Sequence, residues 1–174
     1  GGGVKNIQQI EKLFKLGIEK VILNTAAFSN QSLIQEASRV FGNQSIVVAI
    51  DVKKDFFGNY RVYTNAGTQK QNLDFLSYLH KFEELGVGEI IVNSIDKDGI
   101  MSGYDYNLIK IASENLSIPM IACGGAGQVE HLANAIRYGA SAVAAGSMFV
   151  FHGKHRAVLI SYPKYEDIDI LLNL

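Results

Sequence analysis

Five short apolar runs alternate along this chain with five amphipathic segments. That alternation narrows the available folds more than any other feature. The runs are IEKVILNTAAF (18–28), SIVVAIDV (45–52), GEIIVNSID (88–96), IPMIACGG (118–125) and SAVAAGSMF (141–149). SIVVAIDV is continuously apolar between its ends, as a strand buried on both faces should be. The segments between are NIQQIEKLFKLG (6–17), NQSLIQEASRVFG (30–42), NLDFLSYLHKFEELG (72–86), YNLIKIASEN (106–115) and QVEHLANAIRYG (128–139). Their apolar residues recur at spacings of three and four, and several stop at a glycine, a common helix C-cap. In the second, Ile34, Ala37, Val40 and Phe41 share one face. Strand and helix in turn predict βαβ units around a parallel sheet, a pattern common to doubly wound sheets and closed (β/α)8 barrels. One stretch departs from the rhythm. KKDFFGNYRVYTNAG (53–67) carries a Gly-Asn turn between aromatic runs and reads as a hairpin inserted after a strand ending at Asp51. Insertions of this sort decorate the C-terminal face of a barrel, where active sites are built.

A chain of 174 residues suits one domain, here 1–174. With 48% hydrophobic and 19% charged residues, a packed core is expected rather than disorder. The net charge of −1 gives no electrostatic reason to expect nucleic acid or an anionic membrane as a partner. The apolar runs are far too short to span a bilayer, and no signal-peptide pattern stands at the start. Cys123 is the single cysteine, so no internal disulfide can form, and a reducing cytoplasm is the expected location. No Cys/His cluster has zinc-ligand spacing, and no metal site is expected. The scattered His80, His131, His152 and His155 read as surface or core residues.

The chain also repeats itself. A slide of 122 residues lands Gly2-Gly3 on Gly124-Gly125, the start of the first helical segment on that of the last, Gly17 on Gly139, Val21 on Val143 and Thr25 on Ser147. A unit this long suggests two homologous halves rather than a solenoid. Glycines after a strand let backbone N–H groups approach an anion, and the following helix adds its positive N-terminus. Thr25 and Ser147, at the end of the next strand, can add hydroxyl donors. Each half would then hold one phosphate, which suits a substrate with phosphate at both ends. The plainer alternative is that the glycines serve turns and close packing. Two copies with matched hydroxyls favour the phosphate.

The motifs GGGV, VILNTAAF, VVAIDVK, VNSIDKDGIMSGYD, IACGGAG and AAGSMF, in order from residue 1 to about residue 150, resemble the cyclase subunit of imidazole glycerol phosphate synthase, the HisF family. The resemblance implies a (β/α)8 TIM barrel of the ribulose-phosphate-binding type. The five strands here would be its fourth to eighth. Residues 1–174 would be a fragment, a partial barrel with the first three strands and one of two catalytic aspartates outside it, and would fold poorly alone. The resemblance further implies a cytoplasmic lyase of histidine biosynthesis. It would use ammonia to convert the bisphosphate PRFAR to imidazole glycerol phosphate and the carboxamide ribotide AICAR, without a cofactor. The ammonia would come from a glutaminase (HisH-like) subunit on the opposite face of the barrel.

Residue by residue, the resemblance makes Asp51 the second catalytic aspartate, the general acid. Gly2, Gly3, Asn24 and Thr25 would form one phosphate site. Gly124, Gly125, Gly146 and Ser147 would form the other. Asp98 and Gly99 would line the substrate, with an ordinary Asp-Gly turn as the alternative. Lys20 and Glu89, just before strands, would mark the ammonia entrance at the N-terminal rim. Cys123 reads as packing, since nothing near it in sequence could serve as its base. Three departures stand out. Ile100 occupies a position where the family usually has threonine, Ala66 one where a serine is common, and the tail 153–174 is unlike the usual final helix, with a strand-like VLISY before Pro163. These resemble a sister branch in which the same barrel and a glutaminase-like partner supply ammonia to amidate a surface-polysaccharide sugar. A non-catalytic barrel that only docks a glutaminase and channels its ammonia is the third reading.

Overall fold

A computed structural model describes residues 2–172. In chain order the elements are α1 (Ile7–Lys15), β1 (Val21–Leu23), α2 (Thr25–Ser29), α3 (Gln31–Phe41), β2 (Ile46–Lys54), β3 (Tyr60–Thr64), β4 (Gln69–Asp74), α4 (Phe75–Glu84) and β5 (Glu89–Ser94). Then come α5 (Tyr106–Glu114), β6 (Met120–Cys123), α6 (Val129–Arg137), β7 (Ala142–Val143), α7 (Ser147–Val150), β8 (Phe151–His152), β9 (Ala157–Val158) and α8 (Tyr165–Leu172). Five strands are parallel, in the order β1-β2-β5-β6-β7. Each is followed by a helix, and the result is an arc of a (β/α)8 barrel, as expected from the alternation and the resemblance together.

Strand periodicity sorts the side chains between two faces. In β2, Ile46, Val48, Ile50 and Val52 are at most 1% exposed. They join Ile90 and Val92 of β5 in one core with Ile34, Ala37, Leu79, Phe82, Leu108 and Ala112 from the helices. The intervening residues face the other way, where Val47 is buried and Ala49 and Asp51 are only partly so. Asp51, Asn93 and Cys123 form one row across neighbouring strands on that face, with Asn24 one layer lower beside Ala49, and Lys20 and Glu89 form a second, staggered row nearer the strand starts. The Asp51↔Asn93 and Asn93↔Cys123 pairings fix the first row.

The inserted hairpin is larger than the sequence suggests. β2 continues past Asp51 to Lys54 and pairs antiparallel with β3, which pairs with β4. The helix expected over 72–86 therefore starts only at Phe75, where the Asp74 carboxylate caps it by accepting from the Ser77 amide at 3.0 Å. The strand expected over 141–149 shrinks to Ala142–Val143. In the tail, only Val158 of VLISY lies in a strand. Beyond it the Leu159 and Ser161 amides donate to Val150 O and Phe149 O, which ties the segment to α7. Residues 173–174 of that tail lie outside the described residues.

The repeat survives in three dimensions. The slide of 122 residues carries α1 (Ile7–Lys15) onto α6 (Val129–Arg137) end to end. It also carries Asn24 (φ −119°) onto Gly146 (φ −120°), each the residue before a short helix. Thr25 and Ser147 are correspondingly first residues of helices rather than last residues of strands. Among the described residues, no helix is long and apolar enough to cross a membrane.

Candidate active site

Asp51 sits on β2 where that strand rises above β1, and its carboxylate is held from both sides. Asn24 Nδ2 donates to Oδ2 at 3.0 Å and to Ala49 O at 3.2 Å. Asn93 Nδ2, from β5, donates to Oδ1 at 2.9 Å. Three neighbouring parallel strands thus place one carboxylate between two amides, each oxygen keeping a lone pair for a further partner. The Oδ1 of Asn93 is buried and has no hydrogen-bond partner, the kind of acceptor that an incoming donor would satisfy. Asn93 was not singled out from the sequence. Only the β2–β5 register brings it beside Asp51.

The two glycine-rich sites each come together. Gly2, Gly3, Asn24 and Thr25 line one pocket of about 390 Å³, joined by Lys5 and Asn65. Gly2 and Gly3 both have positive φ, at 80° and 74°. A Cβ on either would meet nothing within 4 Å, so their backbone is open to a visitor. The Thr25 hydroxyl accepts from the Asn65 amide at 3.2 Å and donates to Asn24 Oδ1 at 3.3 Å. This contact fixes the second hairpin turn over the pocket, with Asn65 and Ala66 both at positive φ. Asn65 is a second residue that sequence reading missed. Its position in a turn, 40 residues from Thr25, carries no local signal.

At the other site, Gly124, Gly125, Gly146 and Ser147 line a cleft of about 20 Å³ together with Asp98, Gly99 and Cys123. Here the glycines also serve close packing. A Cβ on Gly124 would stand 2.6 Å from Ser94 O, and one on Gly125 would stand 2.3 Å from Gly103 O. The matched glycines thus differ in surroundings, with open backbone in the first half and close packing in the second. Asp98 and Gly99 do lie beside this second site. Burial pushes the Cys123 thiol up, and the Asp98 and Asp51 carboxylates add to that, so it is a poor nucleophile at neutral pH.

Lys20 and Glu89 meet in an ion pair at the N-terminal edge of the sheet. They lie on the face that carries Asp51, and Glu89 stands four residues before Asn93 on β5. At about 3.3 Å per residue the two rows are separated by about 13 Å of strand. On the Asp51 side, the hairpin is tied to α5. Lys54 Nζ pairs with Asp105 Oδ2 at 2.9 Å, and the Tyr60 hydroxyl donates to Asp105 Oδ1 at 2.9 Å.

The family model described as "Histidine biosynthesis protein" matches residues 1–156. A Pseudomonas aeruginosa protein, provisionally named imidazole glycerol phosphate synthase subunit hisF2, is 48% identical over 171 residues, covering 98% of this chain and 68% of that protein. A Vibrio vulnificus protein, provisionally named subunit hisF3 of the same synthase, is 43% identical over 165 residues, 94% of this chain and 64% of the relative. The Dictyoglomus thermophilum imidazole glycerol phosphate synthase subunit HisF is 45% identical over 151 residues, 87% of this chain and 60% of the relative. The chain thus spans about two thirds of the length of the curated relatives it matches. With a match over 1–156 and the glycine pairs, Asp51 and the hairpin set out along one sheet edge, the chain belongs to the histidine biosynthesis protein family.

Proposed function

We propose that the chain provides the ammonia-using face of a cyclase subunit of imidazole glycerol phosphate synthase. In that reaction PRFAR and ammonia yield imidazole glycerol phosphate and AICAR. The observation that carries this reading is the grip of Asn24 and Asn93 on Asp51, on one strand edge between two separate glycine-lined sites. A substrate with a phosphate at each end would lie across that edge. Gly2, Gly3, Asn24 and Thr25 would hold one phosphate, and Gly124, Gly125, Gly146 and Ser147 the other. Backbone N–H groups and hydroxyls would do this through hydrogen bonds that strengthen toward a dianion. Asp98 and Gly99 would line the substrate between Asp51 and the second phosphate.

Asp51, fixed by the two amides, would serve as general acid toward the departing group. Positioned proton transfer of this kind contributes about 10²–10⁴-fold in rate. Ammonia would enter from a glutaminase partner at the Lys20–Glu89 end and travel along the face that connects that pair with Asp51. The shared face of the two rows supports this path.

The test is twofold. The full-length gene should restore growth of a histidine auxotroph, and its Asp51→Asn variant, expressed at equal level, should not. Purified, that variant should turn over PRFAR with ammonium at least about 10²-fold more slowly. Equal rates would remove Asp51 from the chemistry and move the chain toward a docking and channelling role.

A second reading has an observation of its own. The provisionally named relatives align over 171 and 165 residues, the plainly named one over 151. Ile100, next in sequence to Gly99 of the second cleft, also cannot donate a side-chain hydrogen bond. In this reading the barrel and a glutaminase-like partner pass ammonia to a surface-polysaccharide sugar. Gene deletion would then abolish an amidino sugar without causing histidine auxotrophy.

A further inference from the structure

The two anion sites differ in charge. Lys5 lines the first pocket, whereas no cationic residue lines the second, which instead contains Asp98. The repeat explains the gap, because the slide of 122 residues lands Lys5 on Gly127. No side chain fits at that position. A Cβ on Gly127 would stand 2.1 Å from Met101 O. A cation for the second half must therefore come from elsewhere in the chain.

The tail brings one. After α7 the chain turns back through the β8–β9 hairpin, with Phe151 opposite Val158 and His152 opposite Ala157. Arg156 occupies the turn at φ 48°, left-handed backbone that a side-chain-bearing residue seldom adopts. Its amide donates to Gly153 O at 3.1 Å, and its Nη2 donates to Gly99 O at 2.9 Å. Gly99 lines the second cleft, with Ser147 Oγ 4.0 Å from where its Cβ would stand. A guanidinium has five N–H donors, and among the described residues no carboxylate pairs with this one. Arg156 thus stands at the rim of the site that lacks a cation, with donors to spare.

We propose that Arg156 completes the second anion site by binding the substrate's phosphate monoester, and that the tail hairpin thereby helps select the substrate. The inference rests on the second anion site of the proposed function. It also assigns a purpose to the hairpin of the tail, which an alignment over 171 of 174 residues takes in.

The test uses the full-length protein and inorganic phosphate. Binding is followed separately at the backbone amide NMR signals of Gly124, Gly125 and Ser147 and at those of Gly2 and Gly3. Arg156→Gln should weaken phosphate binding at the first group about tenfold, the size of one charge-assisted hydrogen bond at an open site, and leave the second group unchanged. Arg156→Lys, which keeps the charge but not the fork, should recover part of the loss. Arg156→Gly removes the guanidinium and the backbone strain together, and should show the same loss of about tenfold whether or not the glutamine variant folds well. Wild-type affinity in the glutamine and glycine variants would overturn the role of Arg156 while leaving the site in place. If the Gly124, Gly125 and Ser147 signals of the wild type ignore phosphate while those of Gly2 and Gly3 respond, the second anion site itself falls, and the proposal with it.

Discussion

At the scale of single residues, the side chains that matter here are held by partners distant in sequence. Asp51 takes its amides from residues 27 and 42 positions away. Asp105 shows the same economy on the rim of the site. It caps α5 by accepting from the Leu108 amide at 3.1 Å while it pairs with Lys54 and accepts from Tyr60. Burial works to raise its carboxyl, and the Lys54 ammonium, the Leu108 amide and the Tyr60 hydroxyl outweigh that and hold it below its ordinary 3.8. A carboxyl so held stabilises the fold above its ordinary value and loses that contribution as the pH falls through its folded value. Asp105→Asn keeps the cap and loses the charge. It should cost about 1 kcal/mol in urea unfolding at pH 7, a small figure because the Lys54 side chain is 43% exposed. The difference from wild type should shrink below pH 4. A difference that persists unchanged at pH 3 would assign the loss to the hydrogen bonds rather than to the charge.

At the scale of elements, matched glycines do different work in the two halves. Gly3 needs its positive φ of 74° but has open space around it. Gly125 has φ 114° and the Gly103 carbonyl 2.3 Å from its would-be Cβ, because the Gly103 amide donates back to Gly125 O at 2.8 Å and draws the β5–α5 loop close. Gly3→Ala should therefore cost about 1 kcal/mol through backbone strain alone. Gly125→Ala should cost about 2–4 kcal/mol, because overpacking adds to the strain. Chemical denaturation of the full-length protein measures both, and equal losses would mean that the β5–α5 loop yields freely. The hairpin teaches a related lesson. Its Gly-Asn turn was legible because Asp55 organises it locally, accepting from the Phe57 and Asn59 amides at 3.0 and 2.9 Å. The strand β4 was not legible, because QKQNLD carries little apolar alternation and is extended only because β3 offers it an edge.

At the scale of the whole molecule, the parallel register joins the two ends of the proposed path. Lys20, just before β1, and Glu89, the first residue of β5, meet across the start of β2, with Glu89 two side-chain layers below Asp51 on the same face. If that pair governs ammonia entry, Lys20→Met in the full-length protein with its glutaminase should lower glutamine-driven turnover severalfold. It should leave turnover with free ammonium unchanged. Equal losses in both assays would reduce the pair to a structural contact.

The sequence by itself determined the alternation of strands and helices, the two-half repeat, and the glycine pairs and hydroxyls (Thr25 and Ser147) that the repeat matches. All of these are written in local periodicity and spacing. α1 and α6 start and end where the apolar pattern and the glycines at 17 and 139 place them. Tertiary structure alone decided that Asn93 completes the grip on Asp51, that Asn65 seats on Thr25, that β7 shrinks to two residues, and that Arg156 reaches Gly99. Each of these depends on strand register or on how a loop folds back. Register depends on matching the apolar pattern of one strand to that of its partner, and a segment read alone does not show which distant segment that partner is.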